Sequence, residues 1–136
     1  YYAMISHVDK RVGNIIQTLK DNGLYENTII IFAGDNGLAV GQHGLMGKQN
    51  VYEHSVGVPL MIKAAAQHTG KKTADLCYLI DVFPTLCDML QLPVPQSVDG
   101  ISLLSSLDGK EPVRDYLYYS YMDNQRGISD GTEEDK

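Results

Sequence analysis

The run Thr28-Ile29-Ile30-Ile31-Phe32-Ala33, ending in Gly34-Asp35-Asn36-Gly37, constrains this chain more than any other feature. It is short, almost continuously apolar and mostly β-branched, which predicts a strand buried on both faces rather than a helix. Strands of that kind belong to α/β sheets, where ligands bind outside the carboxyl ends. The predicted class is therefore α/β, and residues 34–37 are the first place to look for chemistry. The preceding segment agrees. Ile5, Val8, Val12, Ile15, Ile16 and Leu19 recur at steps of three and four, giving a helix with one apolar face. Lys10, Arg11, Asn14 and Gln17 take its other faces, and Asn22-Gly23 supplies a left-handed stop.

Downstream, Gly37, Gly41, Gly44, Gly47 and Gly57 interrupt every period, so residues 37–57 read as a long loop with its own polar side chains. Val58 to Ile62 is a second short strand, with Pro59 suited to its beginning. Gln67 to Lys72 is a polar turn, and Leu76 to Ile80 suits either strand or helix. Asp81 is placed to cap a helix from Val82 to about Leu90, with Pro84 in its first turn and Pro93 and Pro95 beyond its end. Residues 98–107 read as a loop with a short helical patch, and Tyr116 to Tyr121 as a half-buried strand. The acidic tail from Ser129 to Lys136 is expected to fray, with residues 132–136 disordered.

Composition narrows the function classes. The 136 residues are 43% hydrophobic and 21% charged, which is globular and not disordered. A formal net charge of −6 disfavours nucleic acid and anionic membranes as partners. No apolar run reaches the roughly 20 residues of a membrane span. No basic-then-apolar leader opens the chain, which begins at Tyr1 without a Met. Cys77 and Cys87 are too few for a disulfide scaffold, and their apolar neighbours mark them as small buried hydrophobes. His7, on the first helix, reads as a surface residue.

Three places can carry chemistry. Asp35 and Asn36 are adjacent oxygen donors at a strand end, which suits a hard cation such as Ca²⁺ or Mg²⁺. The same four residues are also ordinary turn chemistry. His43, in Gly41-Gln42-His43-Gly44, offers a hydrogen-bond donor or general acid. Lys48, in Gly47-Lys48-Gln49-Asn50-Val51-Tyr52-Glu53, offers a compact positive charge for an anionic oxygen. Taken together they describe a site that handles an oxyanion; taken singly, each is a common loop residue. Glu53 and His54 are expected to support the loop by hydrogen bonds.

The order and spacing of these segments resemble the C-terminal half of the sulfatase family, within the alkaline phosphatase superfamily. The residues that carry the resemblance are Gly34-Asp35-Asn36-Gly37, Gly41-Gln42-His43-Gly44-Leu45-Met46-Gly47-Lys48, Val51-Tyr52-Glu53 and Val58-Pro59-Leu60. Asp81-Val82-Phe83-Pro84-Thr85-Leu86, Asp99-Gly100-Ile101-Ser102-Leu103 and Gln125-Arg126-Gly127 extend it to about Gly131. The resemblance implies an alkaline-phosphatase-like sheet flanked by helices, incomplete without an N-terminal half, with residues 1–131 forming the C-terminal portion of a sulfatase domain. It implies that Asp35 and Asn36 ligate Ca²⁺, that Lys48, thirteen positions after Asp35, contacts the substrate sulfate, and that His43 lies near the pocket.

The implied substrate is a sulfated small molecule or sulfated glycan. The family's nucleophile is a formylglycine made from Cys or Ser in a C/S-x-P-x-R motif. Neither cysteine and no serine of this chain has that context. The nucleophile and the remaining metal ligands are thus expected in the N-terminal half, and the chain is expected to be a fragment that is inactive alone. Gly57 departs from the pattern, because an Arg is common before Val-Pro. Two alternatives stay open: a phosphatase or phosphonate hydrolase of the same superfamily, since phosphate and sulfate are both tetrahedral oxyanions, and a non-catalytic scaffold module.

Overall fold

Helix α1 (Tyr2–Asp21) forms where the apolar spacing predicts it. It stops because Gly23 takes a left-handed φ of 68°, which lets Gly23 N–H reach Lys20 C=O at 3.0 Å and Leu24 N–H reach Leu19 C=O at 2.8 Å. The computed structural model describes residues 1–64, 70–123 and 125–131. The expected turn from Gln67 therefore falls partly outside the described residues, and tail residues 132–136 wholly so. Ser129, expected to fray with the tail, is instead buried and held at the end of a strand. The chain divides into two compact units, Tyr1–Ile30 with Ile62–Thr69, and Ile31–Met61 with Gly70–Lys136.

In the first unit no residue of α1 is buried. Ile5, Val8 and Ile15 of its apolar face are exposed, while Val12, Ile16 and Leu19 are half-buried. The turn after the helix is held by Lys63. Its ammonium donates to the carbonyls of Tyr25 at 2.5 Å and Thr28 at 3.2 Å, and lies 4.5 Å from the Tyr25 ring centre.

Strand β1 (Ile30–Ala33) starts two residues later than the sequence suggests. The expectation of burial on both faces is not met. Ile30 and Ile31 are half-buried, but Phe32 and Ala33 are exposed. The reason is that among the described residues β1 has a single partner, β2 (Leu60–Lys63), and a two-stranded sheet cannot cover both faces of its strands. Residues 37–57 are not wholly irregular either. A 3₁₀ turn forms at Gln42–Gly44 and a one-turn helix, α2, at Glu53–Val56. Among the described residues no helix is long and apolar enough to cross a membrane.

The second unit is organised around a buried carboxylate. Leu76 to Tyr78 runs without regular structure into a 3₁₀ turn, Leu79–Asp81, and then α3 (Val82–Met89). Asp81 stands at the expected N-cap position, but its side chain does not cap α3. It is 0% exposed. Its oxygens accept both Arg114 nitrogens at 2.6 and 2.7 Å, the Tyr78 N–H at 2.7 Å and the Ile101 N–H at 2.8 Å. Thr85 Oγ1 donates to the Asp81 carbonyl at 2.6 Å and accepts Leu103 N–H at 2.9 Å.

Burial alone would raise the Asp81 pKa. The Arg114 guanidinium and the two N–H donors outweigh it and hold the carboxyl below the usual carboxylate range. Arg114 lies 4.8 Å from the Tyr78 ring centre, and Tyr78 Oη bonds both Tyr118 N, at 2.6 Å, and Tyr118 O, at 3.1 Å. One carboxylate thereby ties α3 to the 99–103 segment, and through Tyr78 to β3 (Leu117–Tyr121), which pairs antiparallel with β4 (Gln125–Ser129). The short helix α4 (Leu104–Leu107) completes the unit. Cys87, Leu103 and Leu117 are buried, as the sequence suggests for Cys87, and Cys77 is half-buried.

Candidate active site

The Asp35–Asn36 turn follows directly from the end of β1 and is clamped from two sides. Gly34 N–H donates to Pro59 C=O at 3.0 Å, and Gly37 N–H to Ser55 C=O at 2.9 Å. Gly37 has to be glycine, because a Cβ there would overlap the His54 carbonyl. Helix α2 thus packs directly against the turn and fixes which way residues 35 and 36 face.

Asn36 spends its amide nitrogen on the protein. Nδ2 donates to Gly37 C=O at 3.0 Å and reaches Lys48 C=O at 3.5 Å. Its Oδ1 is left as an acceptor without a protein donor among the described residues. The Asp35 carboxylate beside it takes no hydrogen bond or ion pair from them either. Two adjacent oxygens unclaimed by the protein are what a hard cation needs from its ligands. Two protein ligands fall short of the roughly 6–8 oxygens that Ca²⁺ takes. Accordingly, the described residues contain no group of three His, Cys, Asp or Glu side chains able to hold a metal.

Lys48 comes next to Asn36 because the intervening loop closes on itself. Ala39, itself buried, donates its N–H to Gly47 C=O at 3.0 Å, and Gly41 N–H donates to Leu45 C=O at 2.7 Å. Residue 48 is thereby returned to the turn it left. Its ammonium makes no ion pair with the described residues, so its charge is available to a ligand.

His43 is placed differently. It adopts a left-handed φ of 52° and stacks on Tyr52 at 4.6 Å, with the His54 ring 5.6 Å away. It does not line either of the two cavities that include Asn36. The expected hydrogen-bonding role of His54 is also unmet at Nε2, which is buried without a partner among the described residues.

Those two cavities meet at Asn36, Val56 and Tyr119. One, of about 360 Å³, is lined by Asp35, Asn36, Ser55, Cys77 and Tyr78 among others. The other, of about 330 Å³, is lined by Asn36, Lys48, Gln49 and tyrosines of β3. Ser55 is 2% exposed and its Oγ has no partner among the described residues, a costly state that marks a place for water or a ligand group. The Cys77 thiol is pushed up by burial first, then by Asp81 and Asp75, against the opposing pull of Arg114. It is a poor nucleophile at neutral pH. Sequence reasoning missed Ser55 and Arg114, and read Tyr119 only as part of a half-buried strand. Each is an ordinary residue in its local stretch, and only the fold brings them to the site or to Asp81.

Residues 1–92 match the family profile described as Sulfatase, a stretch that holds both the Asp35–Asn36 turn and the Lys48 loop. The chain is 36% identical over 106 residues to arylsulfatase K of Bos taurus, covering 78% of this chain and 20% of that protein. It is 36% identical over 114 residues to choline-sulfatase of Rhizobium meliloti (strain 1021), covering 82% and 22%. The chain thus spans about a fifth of the length of these relatives.

Among solved structures, the phosphonate monoester hydrolase of Agrobacterium radiobacter matches with a TM-score of 0.78 at 36% identity, covering 91% of this chain and 26% of that one. A protein named BT4656, solved with its substrate D-glucosamine-2-N,6-O-disulfate, matches with a TM-score of 0.75 at 28% identity, covering 96% and 29%. The α/β arrangement described above is therefore part of an alkaline-phosphatase-like fold. With the family profile spanning the helix, the strand, the oxygen-donor turn and the lysine loop alike, the chain belongs to the sulfatase family.

Proposed function

We propose that this chain is the part of a sulfate-ester hydrolase that holds the metal-side oxygen donors and a sulfate-binding lysine. One observation carries the reading. Asn36 commits its amide nitrogen to Gly37 and approaches the Lys48 carbonyl, leaving its oxygen and the Asp35 carboxylate unclaimed by the described residues, beside a lysine that makes no ion pair with them. The donor set is all oxygen and fits Ca²⁺. Asp35 and Asn36 would hold the ion, which when bound supplies Lewis-acid polarisation of a sulfuryl oxygen.

The chain's own residues then have separable tasks. Lys48 holds a sulfate oxygen by charge while negative charge grows on the departing oxygen. Ser55 and Gly37 fix the turn, Ser55 through its backbone carbonyl. His43 has a positioning part, stacked on Tyr52 in the loop that returns Lys48 to the turn. The nucleophile, a formylglycine in this family, lies outside these 136 residues.

The likeness to phosphonate monoester hydrolases supports a second reading, in which the ester is a phosphonate. Both oxyanions are tetrahedral and would be met by the same lysine and cation. Assaying the full-length protein on an aryl sulfate and an aryl phosphonate monoester decides between them. Faster kcat/KM on the sulfate is expected, and preference for the phosphonate would overturn the first reading.

A further inference from the structure

The Asp35–Asn36 turn contains a chemical weak point that its own geometry cannot remove. Asn36 is exposed and is followed by Gly37. Glycine has no Cβ, so nothing crowds the approach of its backbone nitrogen to the asparagine side chain before it. Asn14, Asn27 and Asn50 instead precede Ile15, Thr28 and Val51, whose branched Cβ stands beside the same nitrogen. The fold cannot exchange Gly37 for another residue, because any Cβ there overlaps the His54 carbonyl. Nor does the turn tolerate aspartate at 36. Asn36 Nδ2 donates to Gly37 C=O at 3.0 Å, and a carboxylate would set oxygen against oxygen.

One hydrogen bond guards the pair. Gly37 N–H is donated to the Ser55 carbonyl at 2.9 Å. That carbonyl belongs to α2, whose turn is closed by Ser55 N–H on Tyr52 C=O at 2.8 Å. The Gly37 nitrogen must lose its proton before it can attack a neighbour, and a bonded amide gives up its proton only when the structure opens locally.

We propose that Asn36 is a site of spontaneous, base-promoted deamidation, gated by the hydrogen bond from Gly37 to Ser55. When that bond opens, hydroxide takes the Gly37 amide proton and the nitrogen bonds to Asn36 Cγ. The Cγ–Nδ2 bond breaks, and ammonia leaves with a proton from water, closing a cyclic imide. Water then opens the imide at either carbonyl, giving aspartate or isoaspartate. The sum is one amide and one water converted to one carboxylate and one ammonium, with no oxidant or reductant. Both products lose the NH₂ that bonds Gly37 C=O and add a negative charge beside Asp35. Isoaspartate also inserts a carbon into the backbone, which shifts Gly37 from its clamp. Each event therefore retires one site.

The test follows the full-length protein at about pH 8, native and in urea, by peptide mass mapping for replacement of NH₂ by OH. In urea, Asn36 is expected to react together with Asn22, which also precedes a glycine, and well ahead of Asn14, Asn27 and Asn50. In the native protein Asn36 should slow by about fivefold or more, the worth of one hydrogen bond. As sub-denaturing urea is added, hydrogen exchange at the Gly37 amide and deamidation of Asn36 should accelerate in step, since both wait on the same opening. An Asn36 no faster than Asn14 in urea, a native rate equal to that in urea, or deamidation that does not follow Gly37 exchange would each overturn the assignment. Resting on the sulfate-ester reading above, turnover of an aryl sulfate is expected to fall in proportion to the fraction deamidated at Asn36, and Asn36→Asp to lose turnover likewise. Full turnover in that variant would overturn the functional consequence. A wild type inert toward sulfate esters would overturn that reading alone, and the mass measurements would still decide the site.

Discussion

At the scale of single residues, the account assigns most to Lys48. Removing one donor to a developing oxyanion typically costs about 10²–10³ in rate. Lys48→Ala in the full-length protein is therefore expected to lower kcat on an aryl sulfate by that factor, with an unchanged melting temperature, because the exposed side chain buries little. Lys48→Arg should rescue only in part, since a planar fork does not replace a compact ammonium. Wild-type kinetics in both variants would remove Lys48 from the site. A second expectation concerns Cys77. Burial and its acidic neighbours hold the thiol protonated, so alkylation by iodoacetamide should be slow at pH 7 and accelerate as pH rises. Rapid labelling at pH 7 would contradict this.

Residues 35, 36 and 48 stood out in the sequence as polar residues beside glycines, and the roles proposed for them came from the family resemblance rather than from the residues alone. The role of Ser55 was not legible, because a serine inside Tyr52-Glu53-His54-Ser55-Val56 carries no local signal. What singles it out is its burial beside the turn, which depends on Gly37 N–H finding its carbonyl.

At the scale of elements, the Asp81 network holds the second unit together. Asp81→Ala leaves Arg114, which is nearly buried, without its partner, a change that typically costs about 3–5 kcal/mol. The pH dependence has a definite sign. The folded-state pKa of Asp81 is below its unfolded value of about 3.9, so its contribution is complete above that pH and is lost as pH falls through the folded pKa. Melting temperature should thus drop as pH falls below about 4, and more steeply in the wild type than in Asp81→Asn. Parallel curves for the two proteins would show that Asp81 is not the group responsible.

The sequence placed Asp81 at the start of α3 but assigned it the wrong partner. Local spacing reveals a cap, whereas Arg114 is 33 positions away and only the tertiary fold joins them. Helix α1 and strand β3 were readable from periodicity and from a tyrosine-rich run. Strand β4 was not legible as a strand: Gln125-Arg126-Gly127 entered only as part of the family resemblance, and Gln125-Arg126-Gly127-Ile128-Ser129 has no strong strand signal and forms by pairing with β3.

At the scale of the whole molecule, the apolar side of α1 and the exposed outer half of β1 explain why burial was over-predicted. The apolar patterns are real, but the described residues do not cover them. The same incompleteness governs function. The purified 136-residue chain is expected to show no multiple turnover of 4-nitrophenyl sulfate, since no Cys or Ser in it has the nucleophile context. Clear turnover by the chain alone would contradict the division of labour proposed here.

The central claim is that Asp35 and Asn36 present their oxygens to a hard cation. The most direct measurement is the calcium content of the full-length protein by elemental mass spectrometry, wild type against Asp35→Ala, with turnover of an aryl sulfate followed on the same samples. The account predicts stoichiometric metal in the wild type, and loss of both metal and turnover in the variant while its melting curve stays cooperative. Full metal content and full turnover in Asp35→Ala would contradict it.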